Sequence, residues 1–237
     1  MLMVPRRSNA PELLDRDGHG VAELAGALRD IRAVNRLLGG SRTLLDALRP
    51  VIRRTKPGVP LEVLDVGTGA ADLPLAMVRC AGRMGRELWV TAVDRDPTTA
   101  TIAARAAARS PQIRIVCADA RHLPFPPNSF DVVTASMFLH HFELCEVVRL
   151  LARFRELARR AVLINDLRRH LVPWSFIALV SRVTRRDPMF VHDAPLSVLR
   201  GFTVAELLQA ARESGAASVA LKRRWPFRLA VTLESPE

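Results

Sequence analysis

Leu61-Glu-Val-Leu-Asp-Val-Gly-Thr-Gly-Ala-Ala-Asp72 decides how this chain folds. A short run of leucine and valine ends in Asp65-Val66. Glycines follow at 67 and 69, then small residues, then Asp72 as a helical pattern begins. Strand, tight turn and helix follow one another, and the glycines let a ligand lie against bare backbone. A dinucleotide-binding loop would place its third glycine at 72. The aspartate there repels a pyrophosphate, so the loop suits a ligand that is cationic at this point. Asp72 also reads as a helix cap, and both readings stand at this level.

Outward from this stretch, strands are predicted at 61–66, 88–93, 113–118, 130–136 and 160–165. Helices fall at about 72–84, 97–109 and 142–159, the second opened by Asp96 before Pro97. Alternation of this kind implies an α/β fold with a doubly wound parallel sheet that binds ligands at the carboxyl ends of its strands. Ahead of it, Val21 to Leu38 carries apolar residues at helical spacing up to Gly39-Gly40. A second helix, Ser41 to Arg54, takes Ser41 as N-cap. Thr203-x-x-Glu206 is a capping box for a helix that Gly215 closes. The β-rich runs 217–223 and 228–233 lie too close together for a parallel crossover, so they form an antiparallel pair. Residues 1–60 are expected to be an arm and helices over the substrate side, and residues 61–237 the core, with 168–202 a lid-like insert.

The 237 residues suffice for one well-buried domain. No apolar run reaches the roughly 18 residues of a membrane span, and the first residues lack a signal-peptide pattern, so a cytoplasmic protein is expected. Cys80, Cys117 and Cys145 are odd in number and widely spaced, which suits neither disulfides nor zinc. They read as small buried hydrophobes, and no metal is expected. The net charge of +11 comes almost wholly from dispersed arginines; Lys56 and Lys222 are the only lysines, and tyrosine is absent. Clustered basic residues with interleaved aromatics are missing, which argues against nucleic acid and leaves an anionic small substrate open. A monomer or homodimer is expected.

Asp65, Asp72, Asp94 and Asp119 fall at the ends of successive strands or turns, four carboxylates on one rim in a basic chain. Asp94, about 25 residues after Gly69, can accept from ribose hydroxyls; Asp119 can accept from an adenine amino group or simply make a turn. The loop at 61–72 resembles the nucleotide-binding loop of class I S-adenosylmethionine-dependent methyltransferases, whose cofactor carries a sulfonium and an ammonium. Asp119-Ala-Arg-His-Leu-Pro-Phe-Pro-Pro-Asn-Ser-Phe-Asp131 and Ser136-Met-Phe-Leu-His-His-Phe142 resemble the ubiquinone/menaquinone-biosynthesis type within that family. Asn165-Asp-Leu-Arg-Arg169, Gly39-Gly40 and Pro195-Leu-Ser197 are more loosely similar to methyltransferases encoded beside polyketide-type synthases. The likeness covers about residues 60–165, and Ala71 departs from it by replacing a third glycine. It implies a seven-stranded Rossmann-like sheet with the last strand antiparallel, and S-adenosylmethionine held by Asp65, Gly67, Gly69, Asp72, Asp94, Arg95, Asp119, Ala120 and Ser136.

Methyl transfer needs in-line approach and a nucleophile relieved of its proton, a task for a histidine of ordinary pKa about 6.5. His140 and His141 follow the fourth strand. Neighbouring residues point apart, so one faces the pocket, and His140 is preferred as base. Asp166 either orients a histidine or substrate hydroxyl, or caps a turn. In the insert, His192, Asp193 and Trp174 are candidate substrate contacts; a turn and helix packing are the plainer readings. The expected function is methyl transfer to O or C of a small aromatic or polyketide/quinone-like metabolite. RNA methylation and cofactor binding without methylation are the alternatives.

Overall fold

The computed structural model describes residues 4–16, 18–183 and 187–234. Helices α1 (Val21–Leu37) and α2 (Gly40–Arg54) precede strand β1 (Leu61–Val66). Then come α3 (Asp72–Arg83), β2 (Leu88–Asp94), α4 (Pro97–Ala107), β3 (Ile113–Cys117), β4 (Phe130–Ser136), α5 (Leu144–Leu157) and β5 (Ala158–Leu167). Two helices, α6 (Leu171–Val183) and α7 (Pro188–Arg200), separate β5 from α8 (Val204–Glu213), β6 (Ser218–Arg224) and β7 (Arg228–Glu234).

The seven strands form one sheet in the order β3-β2-β1-β4-β5-β7-β6. β1 to β5 pair in parallel, while β7 runs antiparallel to both β5 and β6. This is the doubly wound sheet with an inverted last strand that the resemblance implies. The order reverses between β1 and β4, which opens a crevice at their carboxyl ends.

Period-two alternation divides the core between the sheet's two faces. From β1, Leu64 and Val66 join Leu151, Phe154 and Leu207 under α5 and α8. Leu61 and Val63 join Leu48, Ile52 and Met77 under α2 and α3. Phe154 is fully buried, and truncating such a ring costs about 3–5 kcal/mol. A smaller cluster binds α1 (Val34) to α6 (Ile177) and α7 (Phe190, Val198) at the end of β5 (Leu167).

Several expectations need correction. Ser41 lies inside α2; the cap position is Gly39, in the left-handed region at φ 68° with no side-chain cap. The fifth strand runs 158–167 rather than 160–165, so α5 stops two residues early and Asp166 lies within β5. Residues 166–202 hold two helices, and α7 opens on Asp187-Pro188, the same cap-and-proline signal as Asp96-Pro97. Cys80 is buried as expected, but Cys117 and Cys145 are exposed. Cys117 closes an edge strand and Cys145 lies in the outward part of the first turn of α5.

Candidate active site

A cavity of about 870 Å³ opens over the carboxyl ends of the strands, within the roughly 300–1,000 Å³ of small-molecule sites. Its floor includes Asp65, Gly67, Gly69, Asp94, Asp119 and Ser136, and its walls come from the N-terminal arm, α1, α6 and α7. All nine residues assigned to the cofactor from sequence line this one space.

The loop after β1 is shaped by close packing. Gly67 sits at φ 70°, and a Cβ there would lie 2.2 Å from Cδ2 of Phe138. The Gly69 N–H donates to Asp94 Oδ2 at 2.9 Å, and the Asp96 N–H donates to Oδ1 at 3.2 Å. Asp94 therefore braces the loop with one lone pair per oxygen and keeps others for a ribose. Ala71 occupies the left-handed region at φ 57°, so the replacement of a third glycine is less mild than its size implies; it carries strain of about 1–2 kcal/mol.

The acids on the rim differ in what they already bind. Asp65 is buried and accepts from Thr134 Oγ1 at 2.7 Å; burial pushes its carboxyl up to about 7 against the pull of that bond. Burial likewise raises Asp94, opposed by the Gly69 and Asp96 N–H groups, and Asp72, opposed by Arg32 and Arg36 of α1. Asp119 caps the 3-10 turn Ala120–His122 through the Arg121 N–H at 2.8 Å, the plain role its position allowed. Arg95 donates to the Asp15 carbonyl at 2.8 Å and ties down the arm. Ser136 accepts from Asn165 at 2.8 Å. The buried Asp65 and Asp94, held by hydroxyl and N–H groups rather than by arginines, fit a cationic ligand, and the Gly67–Phe138 packing keeps the loop backbone bare. The donor set suits S-adenosylmethionine.

Opposite this half lies a buried histidine. His140 Nδ1 is 2.7 Å from Asp166 Oδ1, and both residues are at most 2% exposed. Burial raises the Asp166 carboxyl, but the His140 charge and hydrogen bond, with the Leu167 N–H, outweigh it and hold it below the ordinary range. A carboxylate only accepts, so Nδ1 carries a proton, and in the neutral ring that tautomer leaves the lone pair on Nε2. Nε2 faces Glu12 Oε1 at 3.7 Å, and that buried oxygen has no hydrogen-bond partner. Burial pushes the Glu12 carboxyl up to about 7.

His141 does not point away as a strand neighbour would. Leu139–His141 is a 3-10 turn, so the two rings lie 4.3 Å apart, both line the cavity, and His141 Nδ1 reaches Asp15 Oδ1 at 2.9 Å. The Glu12, His140 and His141 ligand atoms lie within 4.8 Å of one another, close enough for a cation. Arg200 Nε stands 3.7 Å from Glu12 Oε1 and opposes one.

Of the substrate candidates, only Asp193 lines the cavity, and both of its oxygens are engaged by the Leu13 and Leu14 N–H groups at 2.8 Å. It fastens the arm to α7. His192 is half-exposed and bonds Asp193 at 2.7 Å, and Trp174 packs against the α1/α6/α7 cluster; neither lines the cavity, because the inward face of each helix is taken by other residues such as Ile177 and Phe190. The sequence reading missed Glu12, Arg7 and Arg200. Arg200 donates to the carbonyls of His140 at 3.1 Å and His141 at 2.6 Å; Arg7 donates to those of Phe142 and Arg200, each at 2.8 Å. Nothing local marks these residues, whose contacts here span from 59 to 193 positions of chain.

A methyltransferase-domain model matches residues 63–161. The chain is 38% identical over 99 residues to a demethylmenaquinone methyltransferase of Thermus thermophilus, covering 39% of this chain and 43% of that protein. It is 27% identical to a ubiquinone/menaquinone biosynthesis C-methyltransferase of Rhizobium leguminosarum, covering 60% of this chain and 55% of that one. These matches span about half the length of the curated relatives. Among solved structures, the S-adenosylmethionine-dependent methyltransferase SibL superposes with TM-score 0.64 at 22% identity, over 88% of this chain and 57% of that one. A methyltransferase of Methanococcus maripaludis gives 0.63 at 14%, over 94% and 97%. At such identities these likenesses establish the fold, and the domain match assigns residues 63–161 to a methyltransferase domain.

Proposed function

We propose that this chain methylates an oxygen or carbon of a small aromatic or polyketide/quinone-like acceptor, with His140 as general base and Asp166 as its positioning partner. One observation carries the reading: the buried 2.7 Å His140–Asp166 contact opens onto the same cavity as Asp94 and the Gly67–Gly69 loop. When bound, S-adenosylmethionine supplies an electrophilic methyl group on a sulfonium. Asp94, Asp65 and the loop backbone would hold it. Nε2 of His140 takes the proton of the acceptor hydroxyl or acidic C–H, and Asp166 stabilises the imidazolium that results. Arg7 and Arg200 fix the backbone of residues 140–142, so the base does not drift. The arm, α1, α6 and α7 act as the cover that excludes water.

Apolar lining from Leu28, Ile31, Ile177, Met189 and Phe190 supports an aromatic or polyketide-like acceptor, and the quinone-pathway relatives point the same way. The test is incubation with methyl-labelled S-adenosylmethionine and a panel of phenols, β-diketones and demethylated quinols, with transfer RNA as a separate arm. Label in a small acceptor supports the proposal. Label in RNA alone, or cofactor binding with no label in any arm, would overturn it.

A further inference from the structure

Helix α6 carries a stripe that the proposed reaction does not use. Val172, Phe176, Leu179 and Val183 recur at helical spacing on one face and are 45%, 44%, 64% and 70% exposed. Phe176 stands 6.4 Å from Phe227, and Phe227 stands 5.8 Å from Trp225, which is 85% exposed at the tip of the β6–β7 turn. One apolar surface thus runs from the helix onto the turn. Its inner border reaches the cavity, which Phe176 and Phe227 both line. Soluble monomers seldom leave so many large side chains bare and contiguous unless something covers them.

The charge around the stripe identifies the cover. No Asp or Glu occurs from Leu167 to Val183 or from Ser214 to Leu233, whereas Arg168, Arg182, Lys222, Arg223 and Arg224 do. A twofold pairing of two copies through this face would press these cations against each other. An anionic lipid surface offers the opposite: headgroups for the basic border and acyl chains for the stripe. No helix among the described residues is long and apolar enough to cross a membrane, and α6, at 13 residues, suits lying along one.

We propose that α6 and the β6–β7 turn dock this chain on an anionic lipid surface, with the cavity mouth facing the bilayer. Apolar area anchors the helix, and the cations select negatively charged headgroups. A lipophilic acceptor would then pass between Phe176 and Phe227 without crossing water. The docking itself does not depend on the methylation reading.

The experiment is co-flotation of the full chain with vesicles of phosphatidylcholine alone or mixed with phosphatidylglycerol. Binding is expected with the mixed vesicles, weak binding with the neutral ones, and release at about 0.5 M salt, where screening reaches within a few ångströms. Leu179→Glu, Trp225→Ala, and Lys222→Glu with Arg223→Glu should each weaken vesicle binding by about tenfold or more. These side chains are exposed or lie outside the cavity lining, so S-adenosylmethionine affinity should be unchanged and reports that each variant is folded. Equal binding to neutral and anionic vesicles, no binding at all, or indifference to the three variants overturns the proposal. So does a concentration-dependent dimer in light scattering that Leu179→Glu abolishes, which would make a second copy the cover.

Discussion

Asp166 Oδ1 holds His140 Nδ1 at 2.7 Å, joining β5 to the 3-10 turn after β4 across 26 positions of chain. The same carboxylate accepts the backbone N–H of His140 at 3.3 Å and that of Leu167 at 2.7 Å. It therefore sets both the tautomer and the position of the imidazole. His140→Ala should lower methyl transfer by about 10²- to 10⁴-fold, with cofactor affinity kept. Asp166→Asn should lower turnover while leaving KM for the acceptor nearly unchanged, because an amide can present the wrong hydrogen to Nδ1. Single-turnover rates beside calorimetric cofactor titration check both. Unchanged turnover in the two variants would leave positioning alone as the source of rate.

Glu12 faces His140 Nε2 at 3.7 Å from the arm, with its carboxyl raised by burial from 4.5 to about 7. Below the unfolded value, both states hold the proton and nothing is lost. As pH rises from 4.5 to about 7 the folded state resists ionisation, so stability falls, by up to roughly 3 kcal/mol, and stays lower above that. Asp65 has the same sign over 3.8 to about 7. Thermal melts should therefore show the chain less stable near about pH 8 than near pH 5. Glu12→Gln should remove part of that slope and leave the Asp65 part. A slope unchanged in Glu12→Gln would mean that Glu12 ionises at an ordinary pH in the folded chain.

Asp94 serves the loop and the ligand together, since Gly69 N–H donates to it at 2.9 Å. Asp94→Ala should weaken S-adenosylmethionine binding by about 1.5–3 kcal/mol, the scale of a lost hydrogen bond to a charged group. Asp94→Asn keeps an acceptor for Gly69 and should lose less. Calorimetry separates the two, and equal affinity in wild type and Asp94→Ala would exclude Asp94 from the cofactor site.

Much of this was legible before any coordinates. The run 61–72 and the strand–helix alternation set the sheet, because period-two and helical spacing are local properties of the chain. The place of Asp65, Asp94 and Asp119 on the cavity lining is legible for the same reason: a strand's end is visible in sequence, and its last side chains face the crevice. Glu12, Arg7 and Arg200 were not legible. They act through contacts such as Arg7 to Phe142, 135 positions apart, which only the folded arm creates. The pairing of the His140 and His141 rings is also hidden in sequence, because strand alternation does not apply where the backbone makes a 3-10 turn. His192 and Trp174 misled because their residue types suit a site while their helices aim them elsewhere.

Asp193 tests whether the arm is a working part of the site. Its two oxygens accept the Leu13 and Leu14 N–H groups at 2.8 Å each, and these hold Glu12 and Asp15 against the histidines. Asp193→Ala removes both acceptors, and hydrogen bonds to a charged group contribute about 1.5–3 kcal/mol. Residues 8–16 should loosen while the sheet, whose strands share none of these bonds, stays intact. Trypsin should then cut after Arg16 faster than in the wild type, with amide exchange in β1 and β4 unchanged. The acceptor KM should rise, and kcat/KM fall with it, since the arm walls the cavity. His192→Ala is the matched control: its half-exposed ring bonds the same aspartate, and its loss should change stability by no more than about 0.5 kcal/mol. Equal cleavage at Arg16 in wild type and Asp193→Ala would show that Arg7, Arg95 and Arg200 hold the arm without help from Asp193.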